Sequence, residues 1–146
     1  MIKEVADMYG LLQAVHRTID QSVSELTDEE WLKKPAENFN NIAAIMEHII
    51  LVENKFMSLL QGSSEAIDTQ APFKATSWDV PNLRAAWEQS LAKAENVLAQ
   101  LSAEDLDQPG AKLGVGELNK RQLISYTIAH TAHHRGQIPL VKKLNA

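Results

Sequence analysis

Two histidines four residues apart are the residues in this chain best placed to do chemistry. His130 and His134 lie in a segment with the amphipathic pattern of a helix, and in a helix this spacing puts both side chains on one face, one turn apart. Two imidazoles in this arrangement can bind a single metal ion through one ring nitrogen each. The pair shares its face with Leu123, Thr127 and Val141, which indicates that it points toward the protein interior.

A third histidine could complete a ligand set. His48 lies in another apolar stretch, on the flank of a stripe that includes Ile45 and Ile49. Metal sites in helical bundles are commonly built from side chains on facing helices, so His48 could join His130 and His134. A lone histidine on an apolar face is more often a core residue bound to a carbonyl or a water. Three imidazoles crowded together without a metal would compete for protons, so the combination favours a metal site.

Other polar residues near these positions leave alternatives open. His16 also flanks an apolar stripe and is a rival ligand. His133 points to the edge of its helix, and His133 and Glu53 could each assist proton transfer or simply support the structure. Arg135 could bind a substrate carboxylate, or form an ordinary surface salt bridge. No catalytic acid or base is predicted.

Composition excludes several classes of protein. The 146 residues include 14 basic and 19 acidic side chains, a net charge of −5, with no concentrated basic face. That balance argues against nucleic-acid binding. The sequence contains no cysteine, so a metal must be held by nitrogen or oxygen, and any reactive thiol must come from outside. We expect no membrane span and a cytoplasmic location, since no long apolar run or signal segment is present.

Four amphipathic stretches must position the candidate site. Apolar residues recur at spacings of three and four over residues 2–26, 41–60, 81–101 and 118–144, which predicts four long helices. No stretch shows the alternation of a strand, and Pro139 should break or bend the last helix. The long connection 61–80 is a candidate lid or pocket wall. The pattern predicts an all-α four-helix bundle forming a single domain, residues 1–146.

The second predicted helix carries two apolar stripes. Met46, Ile50 and Met57 lie away from its main stripe. A helix with two apolar faces usually contacts two neighbours, one of which could be another subunit.

Two segments resemble the signature helices of the DinB-like (DinB/YfiT) superfamily. They are residues 41–53, which contain His48, and residues 130–138, which read His-Thr-Ala-His-His-Arg-Gly-Gln-Ile. The similarity follows the whole chain in order and includes a Leu-Thr-x-Glu-Glu-Trp turn at residues 26–31. It implies an up-up-down-down bundle with a long crossover between the second and third helices, often a homodimer. It also implies a three-histidine nickel or zinc site at His48, His130 and His134.

The same resemblance implies several functions. Some members join a low-molecular-weight thiol to an electrophile or isomerise a thiol adduct, and many have no assigned reaction. We therefore expect a metal-dependent enzyme, a thiol transferase or a hydrolase, in which the ion acidifies a bound water or thiol. A non-catalytic metal-binding bundle and a dimeric interaction module are the alternatives.

Overall fold

Four long helices dominate the computed structural model, which describes residues 1–63 and 65–146. The elements in chain order are α1 (Lys3–Val23), α2 (Asp28–Leu32), α3 (Ile42–Leu60), α4 (Ala71–Lys74), α5 (Val80–Leu98), β1 (Pro109–Leu113), β2 (Gly116–Asn119) and α6 (Lys120–Asn145), with one 3-10 turn at Asp105–Asp107. The predicted all-α four-helix bundle is confirmed. Across the described ranges, no helix combines the length and apolar character needed to cross a membrane.

Polar side chains fix where the long helices begin. Asn41 accepts a hydrogen bond from the backbone N–H of Ala44 and starts α3, and Asp79 does the same for α5. Asn119 and Gln122 cap the start of α6 reciprocally. These caps satisfy backbone N–H groups that the first turn of a helix leaves without partners. Their positions fix the register of the two helices that carry the candidate ligands.

Hydrogen bonds at both ends show that α1 and α6 run parallel. Arg121 binds Glu4 near the start of both helices, and Lys142 binds the carbonyl of Ser22 near their ends. The first half of α1 packs with the second half of α3, so these two are antiparallel. The first halves of α3 and α5 pack together, so these two are parallel.

The order of helix directions is therefore up-down-down-up, and the expected up-up-down-down order is wrong. The short link containing α2 reverses the direction of the chain, so α3 runs antiparallel to α1, which lies diagonally across the bundle from it. The predicted long crossover between the second and third long helices is present. It carries the chain back to the opposite end of the bundle, so α5 repeats the direction of α3. Connection length, more than helix pattern, decides these directions.

The second apolar stripe of α3 is buried inside this one chain. Met46 is fully buried, and Ile50 and Met57 are each 6% exposed. The prediction that this stripe could face another subunit is wrong, because α3 is central and contacts helices on more than one side. A homodimer formed through another surface stays a prediction.

Residues 109–119 form a β-hairpin, although the sequence predicted no strand. Lys112 pairs with Glu117 and Leu113 with Gly116, in antiparallel register. Gly116 has a φ of +122°, a conformation that glycine adopts readily and other residues rarely do. A Cβ on Gly110 would lie 2.9 Å from the backbone of Asn119. The hairpin therefore depends on its glycines, and it packs against α6.

Pro139 does not end the last helix. The helix α6 continues through this residue to Asn145, and Pro139 is exposed. A proline inside a helix removes one backbone hydrogen bond. Here packing of the flanking Ile138 and Val141, both buried, keeps the last turns in place.

Candidate metal centre

The three histidines singled out from the sequence meet at one point between α3 and α6. The Nε2 atom of His130 lies 3.1 Å from that of His48 and 3.2 Å from that of His134. One ring nitrogen from each residue lies within 4.8 Å of those from the other two. His48 and His134 are buried, and His130 is partly buried. Their role as metal ligands stays a prediction, and the geometry it requires is present.

The outer nitrogens of two of these rings are held by oxygen acceptors. The Nδ1–H of His48 donates to the carbonyl oxygen of Thr69 at 2.5 Å. The Nδ1–H of His134 donates to the Oε1 of Gln137 at 2.7 Å. A neutral imidazole with its proton on Nδ1 has a lone pair on Nε2. Both Nε2 lone pairs are therefore directed at the point where the three rings meet, as in protein metal sites.

All three rings are held in the neutral state that metal binding requires. Burial lowers the pKa of His48 and of His134 below the ordinary histidine value. Burial, followed by the neighbouring His134 and His48, lowers the pKa of His130 to about 4. Protonated imidazoles cannot bind a metal. At neutral pH the cluster therefore needs no deprotonation before an ion binds.

The spacing of the donor nitrogens fits a divalent ion. Two nitrogens bound tetrahedrally to zinc at about 2.1 Å lie about 3.4 Å apart, close to the separations seen here. Without an ion, the three Nε2 atoms can share only one proton, carried by His130. The Nδ1 of His130 is buried and has no hydrogen-bond partner within residues 1–63 and 65–146. Nickel and zinc both accept imidazole ligands.

A cavity of about 710 Å³ lies against the three histidines. Phe56 of α3 and Tyr126 of α6 form part of its wall, with ring centroids 5.9 Å apart. Phe73 of α4 packs on His48 at 4.6 Å between centroids, and Leu113 contributes from the hairpin. The crossover predicted as a lid or pocket wall does form one wall. This volume is within the range of small-molecule sites and leaves one side of the cluster accessible.

His16 is not part of this cluster. Its Nε2–H donates to both carboxylate oxygens of Glu53, at 2.7 and 3.0 Å, and its ring stacks on Trp87 with centroids 4.0 Å apart. Glu53 follows His48 by five residues, which places it about 140° away around α3. Glu53 therefore faces α1, while His48 faces the cavity. Both His16 and Glu53 are buried and join α1 to α3.

The two remaining candidates on α6 lie at the surface. His133 is exposed and lines the cavity beside His134. Arg135 is exposed, and its one hydrogen bond in the described residues goes to the hydroxyl of Thr18 at 3.5 Å. Of these two, His133 can reach a bound molecule.

Two residues of the site were not predicted. Thr69 contributes a backbone carbonyl from the crossover, and nothing in its side chain reveals that role. Gln137 follows His134 by three residues, a helical spacing at which side chains meet. The contact between Gln137 and His134 could therefore have been predicted from the sequence.

Comparisons with known proteins support this description. A sequence model described as the DinB superfamily matches residues 11–138. No curated protein sequence matches the chain significantly. Among solved structures, a conserved protein from Enterococcus faecalis is similar with a TM-score of 0.79 and 15% identity, covering 99% of this chain and 98% of that one.

Two further similar structures come from Bacillus subtilis. YfiT, described as a probable metal-dependent hydrolase with an unusual four-helix bundle topology, has a TM-score of 0.73 and 15% identity. The alignment covers 98% of this chain and 89% of YfiT. A DinB-like protein, YjoA, has a TM-score of 0.71 and 18% identity, covering 94% of this chain and 90% of that one. At such identities the likeness shows the shared fold.

Proposed function

This chain belongs to the DinB superfamily, and from that premise we propose that it is a metal-dependent enzyme. His48, His130 and His134 bind one divalent ion, nickel or zinc. The substrate is a small molecule that enters the adjoining cavity. Water or an external low-molecular-weight thiol is the nucleophile, which makes the reaction a hydrolysis or a thiol transfer.

The accessible side of the histidine cluster is the observation that carries this proposal. Structural zinc sites are usually closed by four protein ligands, whereas catalytic sites have three and leave a position open. Here three histidines converge, and a cavity of about 710 Å³ adjoins them.

The residues around the cluster position the ligands. Thr69 and Gln137 hold the rings of His48 and His134, so the donor nitrogens do not have to reorganise when an ion binds. Phe56, Phe73 and Tyr126 provide aromatic walls against which a substrate can pack. When bound, a divalent ion lowers the pKa of a coordinated water or thiol and makes it a nucleophile near neutral pH.

Metal content tests the first half of the proposal. We expect about one equivalent of divalent ion in the purified protein, by elemental analysis, and near-complete loss in His48→Ala, His130→Ala and His134→Ala. His133→Ala is the matched control, because it removes an exposed imidazole from the same helix and the same cavity. Equal metal content in all four variants would contradict the proposal.

A substrate screen tests the second half. YfiT is described as a probable metal-dependent hydrolase, which supports including ester and amide substrates beside pairs of thiols and electrophiles. Turnover should require the metal and disappear in His130→Ala. Full metal occupancy without turnover in either class would favour a metal-binding bundle without catalysis.

A further inference from the structure

Lys55 lies in the same cavity as the three histidines. It follows His48 on α3 by seven residues, nearly two turns, so both lie on one face about 10 Å apart along the helix axis. Side chains on a helix lean toward its N-terminus, so the lysine leans toward the histidine cluster. Both residues line the cavity.

The charge of Lys55 has no partner within the described ranges 1–63 and 65–146. None of the five ion pairs in that part of the chain includes it. The residues three and four positions away on α3 are leucine, valine and serine. No aspartate or glutamate of the described residues lines the cavity. The cavity is therefore positively charged in a protein whose net charge is −5, and it should attract anions.

Apolar side chains lie between the lysine and the histidines. Val52 and Phe56 share the cavity face of α3, and Phe73 and Tyr126 line the cavity from α4 and α6. A ligand that spans the cavity thus meets the three histidines at one end, apolar side chains in the middle and the ammonium group of Lys55 at the other end.

Building on the proposed metal-dependent function, we propose that the cavity selects substrates carrying a negatively charged group, and that Lys55 binds this group. The substrate has three parts. A donor or electrophilic end lies at the histidines, a short apolar stretch lies against the aromatic walls, and a carboxylate or similar anion pairs with Lys55. Lys55 is then a residue that determines specificity and takes no part in bond making.

Two thiols of equal length test this inference. 6-Mercaptohexanoate and 6-mercapto-1-hexanol differ only in the charged end, and thiolate binding to a cobalt-loaded protein gives a charge-transfer absorption band that can be titrated. We expect the acid to bind the cobalt protein about tenfold more tightly than the alcohol, the value of a charge-assisted contact. Added salt should reduce this preference.

Lysine variants show whether Lys55 is the cause. Lys55→Met should lose the preference and bind the alcohol as before, and Lys55→Gln gives a second test if the first variant folds poorly. Lys93→Met is the matched control. It removes an exposed lysine of α5, a helix that contributes no described residue to the cavity, and should retain the preference.

The outcomes separate this inference from the proposed function. If Lys55→Met retains the tenfold preference, or the wild-type protein shows none, the role of Lys55 is wrong and the metal site is unaffected. Cobalt binding without a charge-transfer band from either thiol would also overturn the inference alone. Failure of the wild-type protein to bind cobalt would overturn the proposed function, and the inference with it.

Discussion

Replacing Gln137 should weaken metal binding without removing a metal ligand. Its Oε1 accepts the Nδ1–H of His134 at 2.7 Å and so keeps the lone pair of that ring directed at the cluster. The equivalent partner of His48 is the backbone carbonyl of Thr69, which no substitution removes. Gln137 is therefore the residue through which ligand orientation can be tested.

The size of the effect follows from the role of such partners. Loss of an acceptor behind a metal-binding histidine typically costs 10- to 100-fold in metal affinity, which is about 1.4–2.7 kcal/mol. Gln137→Ala should fall in that range. Gln137→Glu restores an acceptor, and a carboxylate raises the basicity of the ring, so its affinity should equal or exceed that of the wild-type protein.

Competition with a chromogenic chelator at pH 7.5 measures these affinities for zinc. Gln89→Ala, an exposed glutamine of α5, is the control and should bind zinc as the wild-type protein does. The reasoning is refuted if Gln137→Ala binds zinc with unchanged affinity while His134→Ala does not bind it.

Three further predictions concern stability. The pKa of His130 is lowered to about 4 in the folded metal-free protein, against about 6.5 in an unfolded chain. Between these two pH values the unfolded chain binds the proton and the folded protein does not, so the free energy of unfolding should fall as the pH drops from about 6.5 to about 4. Urea denaturation measures this fall, which should be smaller in His130→Phe. Trp31 is 1% exposed, and Trp31→Ala should lower the free energy of unfolding by about 3–5 kcal/mol in the same assay, whereas a loss below about 1 kcal/mol would contradict its place in the core. Gly110→Ala should destabilise the protein by about 1–3 kcal/mol, because the added Cβ would meet the backbone of Asn119. Gly10 lies within α1 with open space around it, so Gly10→Ala should instead raise thermal stability.

The sequence contained most of the candidate site because helical spacing is regular. His130 and His134 must share a face once their segment is helical, and capping residues such as Asp79 locate helix starts without tertiary information. The choice between His16 and His48 was different, since both flank apolar stripes. That choice depends on how α1 is placed relative to α3, because Glu53 of α3 accepts a hydrogen bond from the imidazole of His16.

The features that were not predicted depend on contacts between distant segments. The acceptor for His48 is a backbone atom of Thr69, which every residue type could supply. The hairpin strands β1 and β2 are short and mostly exposed, so they lack the alternation that identifies a strand. The directions of the helices follow from the path of the crossover, and no local sequence pattern predicts that path.

X-ray absorption at the metal edge of the loaded protein tests the central claim most directly. We expect three imidazole nitrogens at about 2.0–2.1 Å from a zinc ion in the wild-type protein. In His48→Ala we expect two. A spectrum dominated by oxygen ligands, or one that His48→Ala leaves unchanged, would contradict the claim that residues from α3 and α6 hold one ion together.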